Sequence, residues 1–352
     1  MIAEPEPAPA PVPDRIMPRI SILLPVRNGA ATLPEALDSI ARQSCTDYEV
    51  IAVNDASDDA TVDILQQYRR QDTRLRLLDN PEPGLVNALN LGLEQARGEL
   101  IARMDADDRM HPQRLQRQRD WLQAHPDHDV VGCRVDLFPA GAVQNGMRHY
   151  VDWLNRCLTP TQIHQDIYLE SPLAHPSVMF RRRAVLAHGG YRNGDFPEDY
   201  ELWLRLHQQG VRFGKVDQAL LDWRERPDRV SRCDPRCSRA AFDRIRARYL
   251  SRDPLLQQGR PLAIWGAGRK TRRRVRPLLE LGHRPDAWID IDPRKLGQRL
   301  DGVPVVAPPW LLEQPLRPVV LVYIASHGAR EEVAAWLQAH DLRPGRDYYQ
   351  VG

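Results

Sequence analysis

The feature that most narrows the fold of this chain is a repeated alternation between short apolar runs and amphipathic segments. RISILLPV (residues 19–26) is a continuous apolar run ending in proline, the pattern of a parallel strand buried on both faces. A helix is expected next, with Thr32 and Glu35 spaced as a capping box ahead of LPEALDSIARQ. YEVIAVND, RLRLLDN and ELIARMDADD then read as strands, and DATVDILQQYRR and GLVNALNLGLEQARG as the helices between them. Such alternation predicts an α/β fold, a doubly wound sheet covered by helices on both sides. Ligands bind such sheets beyond the carboxyl ends of the strands. Asp55 and the acidic turn from Asp105 to Asp108 fall at such ends.

Further along, MHPQRLQRQRDWLQAHP reads as a helix and DHDVVGCRVDLF as a strand, whereas residues 143–165 give no clear period. HPSVMFRR is expected to be a strand, PEDYELWLRLHQQG a helix closed by Gly210, and VRFGKVDQALLDWR a strand. An arginine-rich link with a helical centre, AAFDRIRARYL, leads to a second series: PLAIWGAGRKTRRRVRPLLELG, DAWIDIDPRK and PVVLVYIASHGAREEVAAWLQAH. The expected organisation is a proline-rich disordered tail (1–18), a catalytic α/β unit (19–232), a helical linker (233–259) and a small Rossmann-like unit (260–352).

Charge excludes some partners. With 49 basic and 47 acidic residues the net charge is +2, too little to draw the whole protein to nucleic acid. No apolar stretch reaches the roughly 18 residues that span a bilayer, and the N-terminus lacks the apolar core of a signal peptide. Five scattered cysteines point to a reduced, cytoplasmic protein rather than a disulfide scaffold. Cys233 and Cys237 have ligand-like spacing but no second pair.

Two acidic clusters carry the chemistry. In Asp105-Ala106-Asp107-Asp108 alternate residues share a side, so Asp105 and Asp107 can face one hard cation, Mg²⁺ or Mn²⁺. Taken alone, the cluster fits equally well as a solvated turn leading into the next helix. Glu198 and Asp199 open a helix, where acids also complement the helix dipole. Asp55 alone could form an Asx turn with Ser57.

The order of motifs adds a resemblance. Pro25-Val26-Arg27-Asn28, VNDASDDAT (53–61), GLVNALNLGLEQARGELIARMDADD (84–108), HPSVMFRR (175–182) and PEDYELWLRL (197–206) together resemble the family 2 glycosyltransferases, which have the GT-A nucleotide-diphospho-sugar transferase fold. The resemblance implies an inverting transfer of sugar from a nucleotide diphosphate donor, a UDP-sugar, to an acceptor hydroxyl in bacterial surface polysaccharide or glycolipid synthesis. It implies that Pro25, Val26, Arg27 and Asn28 line the nucleotide, and that Asp55 accepts a hydrogen bond from the base. Asp105, Ala106 and Asp107 would meet the donor, Asp107 with Asp105 holding a divalent metal. Asp199 would be the base, supported by Glu198, with His175 and Arg224 on the acceptor side. One carboxylate suffices for inversion, since no covalent intermediate forms.

This chain departs from the family pattern at Asn54, where a first aspartate is common, and at Arg226, where many relatives carry histidine. The expected partners are the nucleotide sugar and a carbohydrate or lipid-linked acceptor, with peripheral contact at the inner face of the cytoplasmic membrane. The Rossmann-like unit is similar to the N-terminal domains of bacterial sugar acyltransferases. Its Gly266-Ala267-Gly268 turn and Asp290 suit a dinucleotide fingerprint, but Thr271 stands where a third small residue belongs. A competing reading, a protein that binds nucleotide sugar without turning it over, is opposed by the presence of both Asp107 and Asp199.

Overall fold

The computed structural model describes residues 19–226, 229–324 and 328–352; the expected proline-rich tail lies outside them. The first sheet contains β1 (Ile20–Val26), β2 (Tyr48–Asn54), β3 (Leu75–Asp79), β4 (Leu100–Arg103), β5 (Arg109–Met110), β6 (Val130–Phe138), β7 (Met179–Arg181) and β8 (Phe213–Arg224). Their spatial order is β3-β2-β1-β4-β7-β6-β8-β5. Every residue of β1 and β2 is buried, as the unbroken apolar runs require.

Helices α1 (Leu33–Ala41), α2 (Thr61–Gln71), α3 (Leu85–Gln95) and α4 (Arg114–Ala124) accompany this first half. α3 lies so close to the sheet that a Cβ on Gly92 would come within 2.2 Å of Leu23 Cδ1, so only glycine fits. The sheet is mixed, as the GT-A resemblance implies. β3, β2, β1 and β4 run parallel, but β7 runs antiparallel to both β4 and β6.

The reason lies in residues 143–165, which form much of α5 (Asn145–Arg156) and α6 (Pro160–Asp166). These helices leave the chain at the end of the sheet where β6 finished, so β7 must run back down. HPSVMFRR accordingly opens as a 3-10 turn at His175–Ser177, and only Met179–Arg181 pairs as strand. α7 (Arg182–Ala187) and α8 (Glu198–Gln208) follow, and the chain leaves α8 through Gly210 at φ +77°.

After α9 (Val230–Cys233) and α10 (Arg239–Leu250) comes a second sheet of β9 (Leu262–Trp265), β10 (Ala287–Ile289), β11 (Arg299–Leu300), β12 (Val303–Val306), β13 (Val319–Val322) and β14 (Tyr348–Gln350). Its order is β11-β12-β10-β9-β13-β14, parallel apart from the β11 edge, with α11 (Arg269–Glu280), α12 (Trp310–Glu313) and α13 (Ala329–Ala339). This is a second, mostly parallel sheet accompanied by helices. Its glycine turn is internally engaged: Ala267 N–H and Lys295 Nζ both donate to Asp290 Oδ2, each at 2.9 Å. Asp290 therefore serves to hold the turn.

The link between the two sheets is part of the core. α10 packs against both α8 and α11, and one apolar cluster runs from Leu23 and Trp203 through Ile245 to Ile264 and Tyr349. Buried polar bonds accompany it. Asp243 Oδ1 accepts from Arg246 Nη1 (2.8 Å) and Arg274 Nη2 (3.2 Å), and Tyr168 Oη donates to Asp253 Oδ2 (2.8 Å).

Candidate active site

A cavity of about 510 Å³ opens beyond the carboxyl ends of β1, β2 and β4, where the sequence places its acidic groups. Pro25 to Asn28 form one wall. Asn28 adopts φ +50°, a left-handed conformation that asparagine tolerates, and its side chain accepts from Asp58 N–H (2.9 Å). Its own N–H donates to Ser57 Oγ (3.0 Å), while Gly29 N–H donates to Thr61 Oγ1 (2.9 Å). The loops after β1 and β2 thus hold each other.

Asp55 is 5 % exposed and lines the cavity. Its Oδ1 accepts from Asn80 Nδ2 and from Gly84 N–H, both at 2.7 Å. Gly84 sits at φ +143°, which a side chain would disfavour. Asp55 does not bond Ser57; Asn54 Oδ1 instead accepts from Ser57 N–H three residues on (3.1 Å), and its amide donates to Asp79 Oδ1 (2.9 Å). An aspartate at position 54 would set two carboxylates against each other.

Thr32 and Glu35 do not form the expected capping box. Thr32 Oγ1 instead donates to the carbonyl of Ala106 (3.1 Å), and Glu35 pairs with Arg109 and Arg224. Both side chains are drawn out of their helix to brace the acidic turn. Arg224 completes the brace: its N–H donates to Asp108 Oδ1 (2.8 Å) and its Nε to the Asp107 carbonyl (2.6 Å). That guanidinium is engaged by the turn, and Arg224 lines the cavity together with Glu198 and Asp199.

Asp105, Asp107 and Asp108 each offer a carboxylate oxygen, and the three lie within 4.8 Å of one another. Strand alternation singles out only the first and second; the chain turns before the third, which brings Asp108 in as well. Burial, then the charge of Asp105, pushes the Asp107 carboxyl up, and burial with both neighbours pushes Asp108 well above the usual range. Asp108 Oδ2 has no hydrogen-bond partner among the described residues. Crowded acids with a buried orphan oxygen fit a divalent cation in a set of hard oxygen ligands. Arg226 Nη2 stands 3.5 Å from Asp107 Oδ2.

Across the cavity, Glu198 and Asp199 occupy the first turn of α8. Asp199 Oδ1 accepts from Tyr200 N–H (2.7 Å), yet burial and the neighbouring Glu198 push its carboxyl up to about 7. Burial also raises Glu198. His175 is enclosed between Tyr191 Oη (3.0 Å from Nε2) and Glu198 Oε1 (3.8 Å from Nδ1), and burial plus the charge of Arg103 hold it uncharged. Arg103 is a cavity residue that the motif reading passed over. It stands two positions before Asp105, and residues two apart on a strand share a face. Trp203 is fully buried core, whereas Trp223 lines the cavity with Arg229 over its ring at 4.3 Å. All five cysteines are free.

The sequence profile of Glycosyl transferase family 2 matches residues 21–189, a range that contains Asp55 and the acidic turn and ends before Glu198. EpsE of Bacillus subtilis is 33 % identical over 221 residues, 61 % of this chain and 76 % of that protein. A UDP-Gal:α-D-GlcNAc-diphosphoundecaprenol β-1,3-galactosyltransferase of Escherichia coli is 28 % identical over 59 % of this chain and 74 % of its own length. Among solved structures, TarS (1–349) of S. aureus in complex with UDP-GlcNAc superposes with a TM-score of 0.50 at 19 % identity, covering 66 % of this chain and 72 % of that one. That likeness shows the GT-A fold. The chain belongs to glycosyltransferase family 2.

Proposed function

We propose that this protein is an inverting glycosyltransferase that moves a sugar from a nucleotide diphosphate, a UDP-sugar, onto an acceptor hydroxyl with the aid of Mn²⁺ or Mg²⁺. The observation that carries this reading is the convergence of Asp55, the Asp105–Asp108 turn and the Glu198–Asp199 pair on one cavity. Asp55, its Oδ1 fixed by Gly84 and Asn80, accepts from the N–H edge of a uracil ring. Pro25 to Asn28 enclose the nucleoside. Asp105 and Asp107, with Asp108 completing the cluster, would hold the cation, and its charge would offset that of the diphosphate.

Asp199 takes the proton of the acceptor hydroxyl, a task suited to a carboxyl raised to about 7. As that O–H bond breaks, the hydroxyl oxygen bonds the anomeric carbon and the nucleotide diphosphate leaves from the opposite face. A single base and a single displacement give inversion. Glu198, backed by neutral His175, shapes the pair.

The acceptor is assigned to bacterial surface polysaccharide or lipid-linked oligosaccharide, by analogy with the Escherichia coli relative, and the work would occur in the cytoplasm at the inner membrane face. No helix among the described residues is long and apolar enough to cross a membrane. Calorimetry of UDP with Mn²⁺ is the test. Metal-dependent binding in the wild type is expected, and binding unaffected by chelation would overturn the metal assignment.

A further inference from the structure

We propose that α10 and α11 together form a docking face for an anionic lipid surface, a property independent of the transfer reaction. The chain as a whole is balanced, with 49 basic and 47 acidic residues. These two helices are not. α11 exposes Arg269, Lys270, Arg272, Arg273 and Arg276, and α10 exposes Arg239, Arg244 and Arg248. Against these eight cations stands one exposed acid, Glu280, which is paired with Arg276 (2.8 Å). The other acid of the two helices, Asp243, is buried and taken by Arg246 and Arg274.

The helices lie side by side and run in the same direction. Asp243 meets Arg274, 31 residues on, and at the far ends the Ser251 carbonyl stands 3.2 Å from Nε2 of His283, 32 residues on. At about 100° per residue, Arg244 is turned from Asp243 by as much as Arg273 is turned from Arg274, in the opposite sense. Both therefore point to the same side of the helix pair. Arg244 and Arg248, Arg269 and Arg273, and Arg272 and Arg276 stand four residues apart, a like-charge spacing that weakens an isolated helix. An anionic surface relieves that repulsion over the whole face at once.

Lipid suits this face better than nucleic acid. Neither helix exposes an aromatic ring on which bases could stack, since Phe242 lies on Tyr200 and Tyr249 is buried. Instead Leu281, 52 % exposed, follows α11 two residues before the His283 contact. Such a side chain enters the interface of a bilayer while the long arginine side chains reach its headgroups. The face also adjoins the active site. Arg236 and Cys237 line the cavity, and Ser238, the next residue, caps α10 by accepting from Ala241 N–H (3.3 Å). Docking by this face brings the cavity rim within about one helix length, roughly 18 Å, of the headgroups.

The test is cosedimentation of the full chain with vesicles of phosphatidylcholine, alone or with about 30 mol % phosphatidylglycerol. Wild type should bind the anionic vesicles, release them as salt rises from about 0.1 to about 0.5 M, and leave phosphatidylcholine unbound. Each cation at a membrane surface contributes roughly fivefold to partitioning. Arg244→Gln, Arg272→Gln and Arg273→Gln combined should therefore weaken binding on the order of 10²-fold. The control combines Arg42→Gln, Arg69→Gln and Arg70→Gln, the same change of charge at exposed positions after α1 and on α2, and should bind like wild type.

A wild type that leaves the anionic vesicles unbound, a triple variant that binds them as tightly as wild type, or a control that weakens as much as the triple variant overturns the proposal. So does an RNA or DNA duplex bound more tightly than the vesicles, which would give the face to nucleic acid. Should the triple variant not fold, Arg272→Gln with Arg273→Gln should weaken binding about 25-fold, and undiminished binding by that pair has the same force.

Discussion

Asp199→Asn should lose activity and gain stability together. The amide keeps the shape of the carboxylate and still accepts the Tyr200 N–H bond. Turnover should fall about 10²- to 10⁴-fold, the usual cost of losing a general base, with donor binding retained. Stability moves the other way because the carboxyl sits at about 7 in the folded chain and at about 3.9 in the unfolded one. A raised value means the folded state favours the protonated form. That contribution is complete below the unfolded value and is lost as pH rises through about 7.

Near pH 8 the wild type therefore bears a penalty on the order of 4 kcal/mol that asparagine lacks. An amide short of one partner gives back about 1–3 kcal/mol. The net gain is on the order of 1–3 kcal/mol near pH 8, shrinking as pH falls toward 5. Thermal melts at the two pH values, with UDP release as the turnover assay, measure both effects. Turnover within about threefold of wild type, or a variant less stable than wild type at pH 8, would refute the reasoning.

Wild-type turnover itself should rise with pH through about 7 as Asp199 ionises, read from a kcat–pH profile. Asp107→Asn should abolish metal-dependent UDP binding in calorimetry, because it removes an anionic ligand from the three-carboxylate cluster. Asn54→Asp should destabilise the protein by about 1–3 kcal/mol in denaturant titration at neutral pH, less at acid pH, since it replaces a donor to Asp79 with a like charge. Glu35→Gln, which weakens the brace on Arg224 and Arg109, should lower Mn²⁺ affinity by about three- to tenfold while the melting temperature stays within a few degrees. Deleting residues 260–352 should yield an aggregated or non-cooperatively melting protein; a soluble, fully active fragment would count against a shared core.

The strand and helix alternation was legible because β1 and β2 are buried on both faces and so are apolar without interruption. Asp55, Asp105, Asp107, Glu198 and Asp199 could be picked out because each stands at the end of such an element. What the sequence hid was long-range. Thr32 and Glu35 satisfy a local capping pattern, but their partners are the Ala106 carbonyl, Arg109 and Arg224, far along the chain. Nothing in the intervening residues signals that diversion. α5 was readable in principle, since Met147, Tyr150, Val151 and Leu154 recur at helical spacing, but its many polar residues masked the period. The bracing role of Arg224 depends on where the acidic turn closes against β8, which no local pattern encodes.

α10 is a party wall. Arg246 reaches Tyr200 on α8 from one side and shares Asp243 with Arg274 of α11 on the other, so both halves of the molecule are fitted to the same helix. Chimeras that exchange the second half with a relative therefore have a defined seam. A junction ahead of α10 would set a foreign helix against the back of α8, one residue from Asp199, whereas a junction at Gly259 keeps the native helix there and confines the mismatch to the α10–α11 face. Specificity engineering that starts from module exchange should cut at the second position and redesign Arg274 and its neighbours to suit Asp243.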